Sequence, residues 1–328
     1  MSLNVLSIQE VSAKNMDFTL EINFTQSWED SRLTFEGNKE VSEIVLGVDK
    51  IGEIWRPDTY FVNRKTAQHQ YQGPDTDSQA FLKIEQDGTI LVTRRISLTA
   101  DCNMYLAEYP LDHQQCSLVL SSFSHTFSDI VYQWGSGDGS WGEVLSVPGY
   151  TVLGQDHGVS PTQHYSGLVV TIQLARQPGH SIRYHFIPAA FMVALSWLSF
   201  LLDPSKSLAR LVITLTPLLT ILFLSTQAAQ TLPPLSYWTA VDIYLCCCSV
   251  CVTAAVLVTI ASSSWCRARG YRGVSTQQDK AEDGGEDPTD KTGAGAAPAW
   301  RRVDCGCLII LPILFILFNI VFWSVCGG

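Results

Sequence analysis

The sequence predicts an all-β sandwich followed by a four-helix transmembrane bundle, and three observations lead there. The 328 residues are 46% hydrophobic and only 16% charged, with a mean hydropathy of +0.14. That is too long and apolar for one small soluble domain, and too well mixed for disorder. Apolar residues recur with a period of two from Val5 to Ala175, and four long apolar runs occupy most of the remainder. A purely cytosolic enzyme is thereby excluded. The formal charge of −10 and a pI near 5.1 argue against a nucleic-acid partner, because little basic surface is left to neutralise phosphates.

The sandwich rests on stretches such as Phe18-Thr19-Leu20-Glu21-Ile22, Phe81-Leu82-Lys83-Ile84 and Thr89-Ile90-Leu91-Val92-Thr93, which largely alternate apolar and polar residues. Turn signals separate them: Glu36-Gly37-Asn38, Gln86-Asp87-Gly88 and Gly135-Ser136-Gly137-Asp138-Gly139. Short strands at this spacing suggest a sandwich. Ser7 to Lys14 reads as a short helix leading into it.

Tyr184–Leu202, Leu208–Ala229, Tyr237–Ala261 and Leu308–Val325 each reach or approach bilayer-spanning length. One or two such runs suit a buried core; four in one chain make a membrane bundle. Ser275–Ala299 is rich in Gly, Ala, Asp and Glu, the composition of a disordered linker. Arg267, Arg269, Arg272, Arg301 and Arg302 bracket it, so the positive-inside rule places it in the cytoplasm. Counting spans back puts the amino-terminal domain outside. The resulting plan is an extracellular domain over 1–180, helices one to three over 181–262, a largely disordered cytoplasmic linker over 263–303 and the fourth helix over 304–328. This is a multi-pass plasma-membrane protein in contact with lipid. No cleavable signal peptide is visible although the topology needs one, so Met1-Ser2 is expected to begin a trimmed mature chain.

Of ten cysteines, Cys102 and Cys116 lie in the sandwich half, and the other eight sit in or beside apolar runs. The pair suggests a disulfide, which the extracellular side would preserve; two buried free thiols are the alternative. Cys246–Cys248 has the look of a metal cluster, but inside a spanning helix it reads better as small packing residues. No metal site or cofactor is expected.

Cys102 and Cys116 enclose thirteen residues that include Tyr109-Pro110-Leu111-Asp112, and here the chain resembles the Cys-loop receptors, the pentameric ligand-gated ion channels. Met16-Asp17-Phe18 through Trp28-Glu29-Asp30-Ser31-Arg32-Leu33 resembles the first strands of glycine and GABA type A receptors. Trp55-Arg56-Pro57-Asp58-Thr59-Tyr60-Phe61 is similar to a GABA-receptor β subunit. Leu195-Ser196-Trp197 resembles the first membrane helix of the anion-channel branch, and Leu232-Pro233, Ser236-Tyr237 and Asp242-Ile243 resemble the turn after the pore helix and the start of the third span. The resemblance covers nearly the whole chain apart from the linker. It implies an immunoglobulin-like sandwich of about ten strands, a homopentamer around a central pore, and small-molecule agonist sites between neighbouring extracellular domains.

The second span supports a pore independently. Val212, Thr216, Leu219, Phe223, Thr226 and Gln230 recur at spacings of four and three, forming one helical stripe. It is polar towards its ends and apolar at Leu219 and Phe223, so five copies would make hydrophobic rings able to gate permeating ions by dewetting. The alternative, a stripe packed against other helices, gains little from Thr and Gln. The resemblance places Leu219 at the gate leucine. Pro217 departs from the family pattern; it crowds the Ile213 carbonyl, so a kink is expected.

For selectivity, Ala209-Arg210 fits the Ala-Arg at the cytoplasmic mouth of the anion branch, and the glutamate ring of cation channels is missing. Leu208 replaces the usual proline. Residues 1–180 hold 22 Asp+Glu against 11 Lys+Arg, a field that concentrates cations. A local ring outweighs a screened, distant field, which favours anions. A cation channel of the same fold and a non-conducting membrane receptor subunit remain the alternatives.

Carried over from the resemblance, the principal face of the agonist site uses Tyr60, Phe123 and Tyr165, whose rings suit a cation–π contact. The complementary face uses Asn23, Phe24, Thr25, Lys83, Leu91, Thr93 and Arg95. Each aromatic taken alone reads as sandwich core. Thr25 stands where glycine and GABA receptors carry an arginine for the agonist carboxylate, and Ser121 where GABA sites carry a glutamate for the amine. The paired cysteines of nicotinic α subunits are absent near Val159–Leu168. Agonist identity is therefore left open. Lys83 and Arg95 offer charge to an anionic group, although strand cations are more often solvated. Asn23-Phe24-Thr25 is a glycosylation sequon that would crowd the site if Asn23 faces it. His125, His157 and His164 lie in or near the binding loops and read as surface histidines with a possible pH response. No phosphate loop, His-Glu-x-x-His motif or nucleophile elbow speaks for an enzyme.

Overall fold

A computed structural model describes residues 1–36, 42–65, 80–135, 146–160, 164–203, 206–282 and 299–326. The turns expected at Gly37-Asn38 and Ser136–Gly139, and linker residues 283–298, lie outside the described residues. The chain divides into two compact units, one comprising Met1–Leu106 and Asp112–Gln177, the other Ala107–Leu111 and Pro178–Gly328.

The first unit holds ten described strands: β1 (Ser2–Ser12), β2 (Asp17–Glu29), β3 (Glu43–Leu46), β4 (Thr59–Phe61), β5 (Ala80–Glu85), β6 (Thr89–Asp101), β7 (His113–Ser122), β8 (Ser146–Val147), β9 (Tyr150–Val159) and β10 (Gly167–Arg176). They form two five-stranded sheets, ordered β1-β2-β6-β5-β3 and β4-β7-β10-β9-β8. Every pair is antiparallel. The period-two pattern buries one face of the central strands: Phe18, Leu20, Ile22 and Phe24 on β2, Ile90 and Val92 on β6, Leu118 and Leu120 on β7, and Leu168, Val170, Ile172 and Leu174 on β10. Each such side chain contributes roughly 1.5–3 kcal/mol through burial. At the Asp87-Gly88 turn, Gly88 has φ +86°, and an added Cβ would sit 2.7 Å from the Asp30 carbonyl oxygen, so only glycine fits.

Of the helix expected over Ser7–Lys14, Ser7–Ser12 are instead the end of β1, and Ala13 and Lys14 lie in the turn after it. Pairing of β1 with β2 shifts register between Val5 and Ser7 and again between Ile8 and Glu10. The first shift breaks the alternation, so Val5 and Ile8, three residues apart, both turn inward, a step that imitates a helix.

Cys102 and Cys116 are joined by a disulfide. Close by in sequence, Asp112 is buried and receives Arg176 on both oxygens, Nε at 2.7 Å and Nη2 at 3.1 Å, and Gln114 Nε2 at 2.6 Å. The guanidinium also lies 4.7 Å from the centre of the Tyr150 ring.

The second unit has four helices long and apolar enough to cross a membrane: α1 (Gly179–Leu201), α2 (Ser207–Thr231), α3 (Ala240–Glu282) and α4 (Ala299–Cys326). Pro188 has no N–H for the Tyr184 carbonyl, and the preceding turn, Ile182–Phe186, widens to a π-helix in which Ile187 N–H reaches Ile182 O. The third helix starts at Ala240 because Thr239 and Asp242 cap it reciprocally: Thr239 Oγ1 donates to Asp242 Oδ2 at 2.7 Å, and Asp242 N–H donates to Thr239 Oγ1 at 3.3 Å. It runs on to Glu282, past the point where the apolar run ends. The largely disordered linker expected to begin at 263 is thus helical over its first residues; its Arg, Gln, Lys and Ala favour helix without needing an apolar face. The fourth helix packs through aromatic rings, with Phe322 5.1 Å and Phe318 5.7 Å from Tyr244 of α3. Tyr244 also donates to Asn319 Oδ1 at 3.1 Å. Ala107–Leu111 belongs to this unit: Ala107 O accepts from Ala240 N–H at 2.9 Å.

Cys248 is buried and Cys246 exposed. Successive helical residues differ by about 100°, so the three neighbouring thiols diverge.

Candidate functional site

Two side-chain arrangements in the first unit hold the residues expected to line an agonist site. The first is on the second sheet. Pairing of Tyr60 with Ser121 across β4 and β7 brings the Tyr60 ring to 5.7 Å from Phe123, edge to face. Phe123 is 75% exposed. A phenylalanine that bare is not core packing.

Asp58 fixes this corner. It accepts from Ser122 Oγ at 2.5 Å, Ser124 N–H at 2.6 Å and Ser124 Oγ at 2.7 Å, with His125 Nδ1 at 3.2 Å. Burial disfavours the carboxylate, but these donors outweigh it and hold Asp58 far below the usual carboxylate range. The chain on either side of Phe123 is therefore tied to the residue two before Tyr60. Tyr165 is half-buried beside Ser166, whose hydroxyl accepts from Tyr132 N–H at 2.7 Å. Among the described residues Tyr165 has no ring contact with Tyr60 or Phe123.

The second arrangement is the outward face of the first sheet. Asn23 pairs with Arg95, Thr25 with Thr93, and Lys83 with Leu91, so all six share one face. Thr25 and Thr93 hydroxyls lie 3.0 Å apart. Two expectations change here. Phe24 points the other way, is buried, and packs on Phe61 at 5.7 Å. The cations are already engaged, Arg95 with Glu21 at 2.7 Å and Lys83 with Glu43 and Glu85 at 2.5 and 3.1 Å. Asn23 does lie on the Thr25 face. Ser121 is buried, its hydroxyl turned to the Ser122 and Ser166 carbonyls.

In the second unit, α2 is two-sided. Arg210, Thr214, Pro217, Ile221 and Ala228 are buried, and the helix continues without a break through Pro217. Val212, Thr216, Leu219, Phe223, Thr226 and Gln230 are all exposed, Leu219 by 66%. Ala209 shares that side. Arg210 does not: it is fully buried, and the expectation that its charge faces the stripe is corrected. Nε donates to Ser199 O at 2.9 Å, Nη1 to Ser262 Oγ at 3.1 Å and Nη2 to Asp304 Oδ2 at 3.1 Å. Arg210 lies two residues, about 200°, from Val212, which turns it into the bundle.

Residues 1–178 match the family of neurotransmitter-gated ion-channel ligand-binding domains, and residues 185–282 match the neurotransmitter-gated ion-channel transmembrane region. The chain belongs to the neurotransmitter-gated ion-channel family. It is 35% identical over 263 residues to a gamma-aminobutyric acid receptor subunit beta-4 of Gallus gallus, covering 78% of this chain and 53% of that one. It is 34% identical over 280 residues to a gamma-aminobutyric acid receptor subunit beta of Caenorhabditis elegans, covering 83% and 50%. The chain thus spans about half the length of these relatives.

Membership in this ion-channel family agrees with the sandwich, the disulfide and the four apolar helices, and with a multi-pass plasma-membrane protein that is not an enzyme. Among the described residues no group of three or more His, Cys, Asp or Glu side chains is arranged to hold a metal. Sequence reasoning missed the Asp58 network, although Asp58 lies within the Trp55–Phe61 stretch. It also missed Trp134, whose ring lies 4.7 Å from His157 and whose Nε1 donates to Gly158 O at 3.0 Å. That indole clamps β9, the strand that precedes the Tyr165 segment.

Proposed function

We propose that the chain is one subunit of a homopentameric, agonist-gated channel whose pore is lined by the exposed stripe of α2. The observation that carries this reading is the opposed burial of that helix. Its own bundle takes Arg210, Thr214, Pro217, Ile221 and Ala228, while Leu219 and Phe223 stay exposed between Val212 and Thr216 on one side and Thr226 and Gln230 on the other. A stripe with polar ends and an apolar centre suits a ring around water better than contact with lipid. The agonist binds between subunits, with Tyr60, Phe123 and Tyr165 on one side and Asn23, Thr25, Lys83, Leu91, Thr93 and Arg95 on the other.

Anions are favoured. With Arg210 paired inside the bundle, the cytoplasmic end of α2 presents exposed Lys206 beside Ala209 and the helix amino terminus, set against exposed Asp203 three residues before Lys206. No acidic residue occurs from Lys206 to Gln230. The acidic first unit favours the second reading, a cation channel. Reversal potentials in cells expressing the chain decide: lowering external chloride should shift them positive, and replacing sodium should leave them in place. A shift with sodium alone makes it a cation channel. Absence of current under any agonist, with protein at the surface, leaves the non-conducting subunit.

A further inference from the structure

We propose that the cytoplasmic end of the bundle is an S-acylation site, with Cys305 the principal acceptor of a long-chain fatty acyl group and Cys266 and Cys307 its neighbours. The three thiols lie within about one helical turn of one membrane level. The guanidinium of Arg210 bonds Ser262 of α3 and Asp304 of α4, so those two residues are level. Cys266 lies one helical turn beyond Ser262, and Cys305 and Cys307 lie within a turn of Asp304. Each thiol lies between the end of an apolar run, at Ala261 or Leu308, and the nearest arginine, Arg267 or Arg302, which puts all three where lipid headgroups meet hydrocarbon.

Rotation of α4 selects Cys305. Asp304 is buried against Arg210, and the next residue is turned about 100° away; Cys305 is exposed, whereas Cys266 and Cys307 are half-buried. One turn further into the span, Ile309 is 62% and Ile310 56% exposed. An acyl chain on Cys305 therefore has an apolar track to lie along. Arg301 and Arg302 precede it in sequence, and Arg267, Arg269 and Arg272 follow Cys266, charges that hold this level against an anionic cytoplasmic leaflet. The reducing cytosol keeps the thiols free, and juxtamembrane cysteines are the acceptors of reversible acylation. The thiolate of Cys305 attacks the thioester carbonyl of a long-chain acyl-coenzyme A. A new C–S bond forms, the C–S bond to the coenzyme breaks, and the Cys305 proton ends on the released coenzyme thiol. No oxidant is needed.

The test uses the full chain expressed in animal cells. Membranes are reduced, free thiols are blocked with N-ethylmaleimide, thioesters are cleaved with neutral hydroxylamine, and the released thiols are tagged with a polyethylene-glycol maleimide. A hydroxylamine-dependent shift is expected in the wild type, lost or at least halved in Cys305→Ser and unchanged in Cys246→Ser. If Cys305→Ser does not accumulate, mass spectrometry of the wild-type peptide containing Cys305 reads the acyl mass directly. No hydroxylamine-dependent shift in the wild type overturns the proposal. So does a shift that survives Cys305→Ser, or an unmodified Cys305 peptide. The readout does not depend on channel opening, so it stands or falls apart from the proposed function.

Discussion

Arg210 and Asp304, 94 residues apart in sequence, meet inside the helical unit with Nη2 and Oδ2 3.1 Å apart and side chains 0% and 4% exposed. The same guanidinium reaches Ser199 of α1 and Ser262 of α3. One side chain of α2 thus bonds to each of the other three helices. Arginine suits this because its planar fork offers several donors in fixed directions. The desolvation of such a pair is costly, and its value lies less in net stability than in the single helix arrangement that satisfies it.

Removing one partner should therefore be worse than removing both. Arg210→Met leaves the Asp304 carboxylate buried without its cation, a loss of about 3–5 kcal/mol, and surface expression should fall steeply. The double variant Arg210→Met with Asp304→Leu should recover much of it. Surface biotinylation of the two singles and the double measures this. A double variant no better than either single would show that the pair is not the source of the loss.

Leu219 is the gate prediction. It stands out from its own bundle in the middle of the stripe, with Phe223 one turn above. Leu219→Ser should hydrate that level, producing spontaneous current or a leftward shift of the agonist curve. Unaltered gating in a variant that reaches the surface normally would remove Leu219 from the gate.

Asp58 gives a pH prediction with a definite sign. Its carboxyl is held low by donors from Ser122, Ser124 and His125, so its contribution is fully present above the unfolded carboxylate value of about 3.9. It is lost only as pH falls towards the lower folded value. Asp58→Asn keeps the shape but removes the charge and turns donors towards donors, costing about 1–3 kcal/mol. The stability gap between wild type and this variant should not narrow from pH 8 to pH 5. Thermal unfolding of the solubilised full chain across that range tests the sign; a gap that closes by pH 5 contradicts it.

The disulfide prediction concerns folding. Cys102→Ser should cost about 2–5 kcal/mol and lower surface expression while leaving reversal potentials alone. Mapping without reduction should recover the linked Cys102 and Cys116 peptides. Alkylation of both thiols in the native protein would count against the bond.

Much of this was legible because period and burial are tied. The alternation in β2 and β6 identifies the inward residues, and the four-and-three spacing in α2 identifies one exposed face. The failures have physical causes. Register shifts in β1 turned a strand into an apparent helix. Arg210 was read by its charge, whereas its angular position relative to Val212 already turned it inward. Lys83 and Arg95 were read as available, but their partners Glu43, Glu85 and Glu21 come from neighbouring strands or the same strand two residues on, and pairing of strands is not visible in a linear pattern. Asp304 carried no signal of its own, since its partner lies two helices away.

The agonist is the last prediction. We propose that the pocket keeps an aromatic wall but lacks both charged anchors for a small amino-acid transmitter. Tyr60 and Phe123 stand edge to face with Phe123 bare. Thr25 offers only a hydroxyl already shared with Thr93, and Ser121 is buried with its hydroxyl spent on backbone carbonyls. Lys83 and Arg95 are held by glutamates, so neither stands in for the missing arginine. Each lost charge-assisted hydrogen bond forgoes roughly 1.5–3 kcal/mol, or about one to two decades of affinity. Two such losses are enough to abolish a micromolar response to a ligand as small as glycine or GABA. A larger or more apolar ammonium compound regains affinity by burying area on Phe123 and Tyr60. The measurement is whole-cell current across an agonist panel on wild type and Phe123→Ala. An effective agonist should lose at least a decade of potency in the variant, because the ring is the most exposed part of the wall. Micromolar activation by glycine or GABA, despite the relatives being GABA receptor β subunits, would show that some other side chain supplies the anchors, and an agonist indifferent to Phe123 would place the site elsewhere.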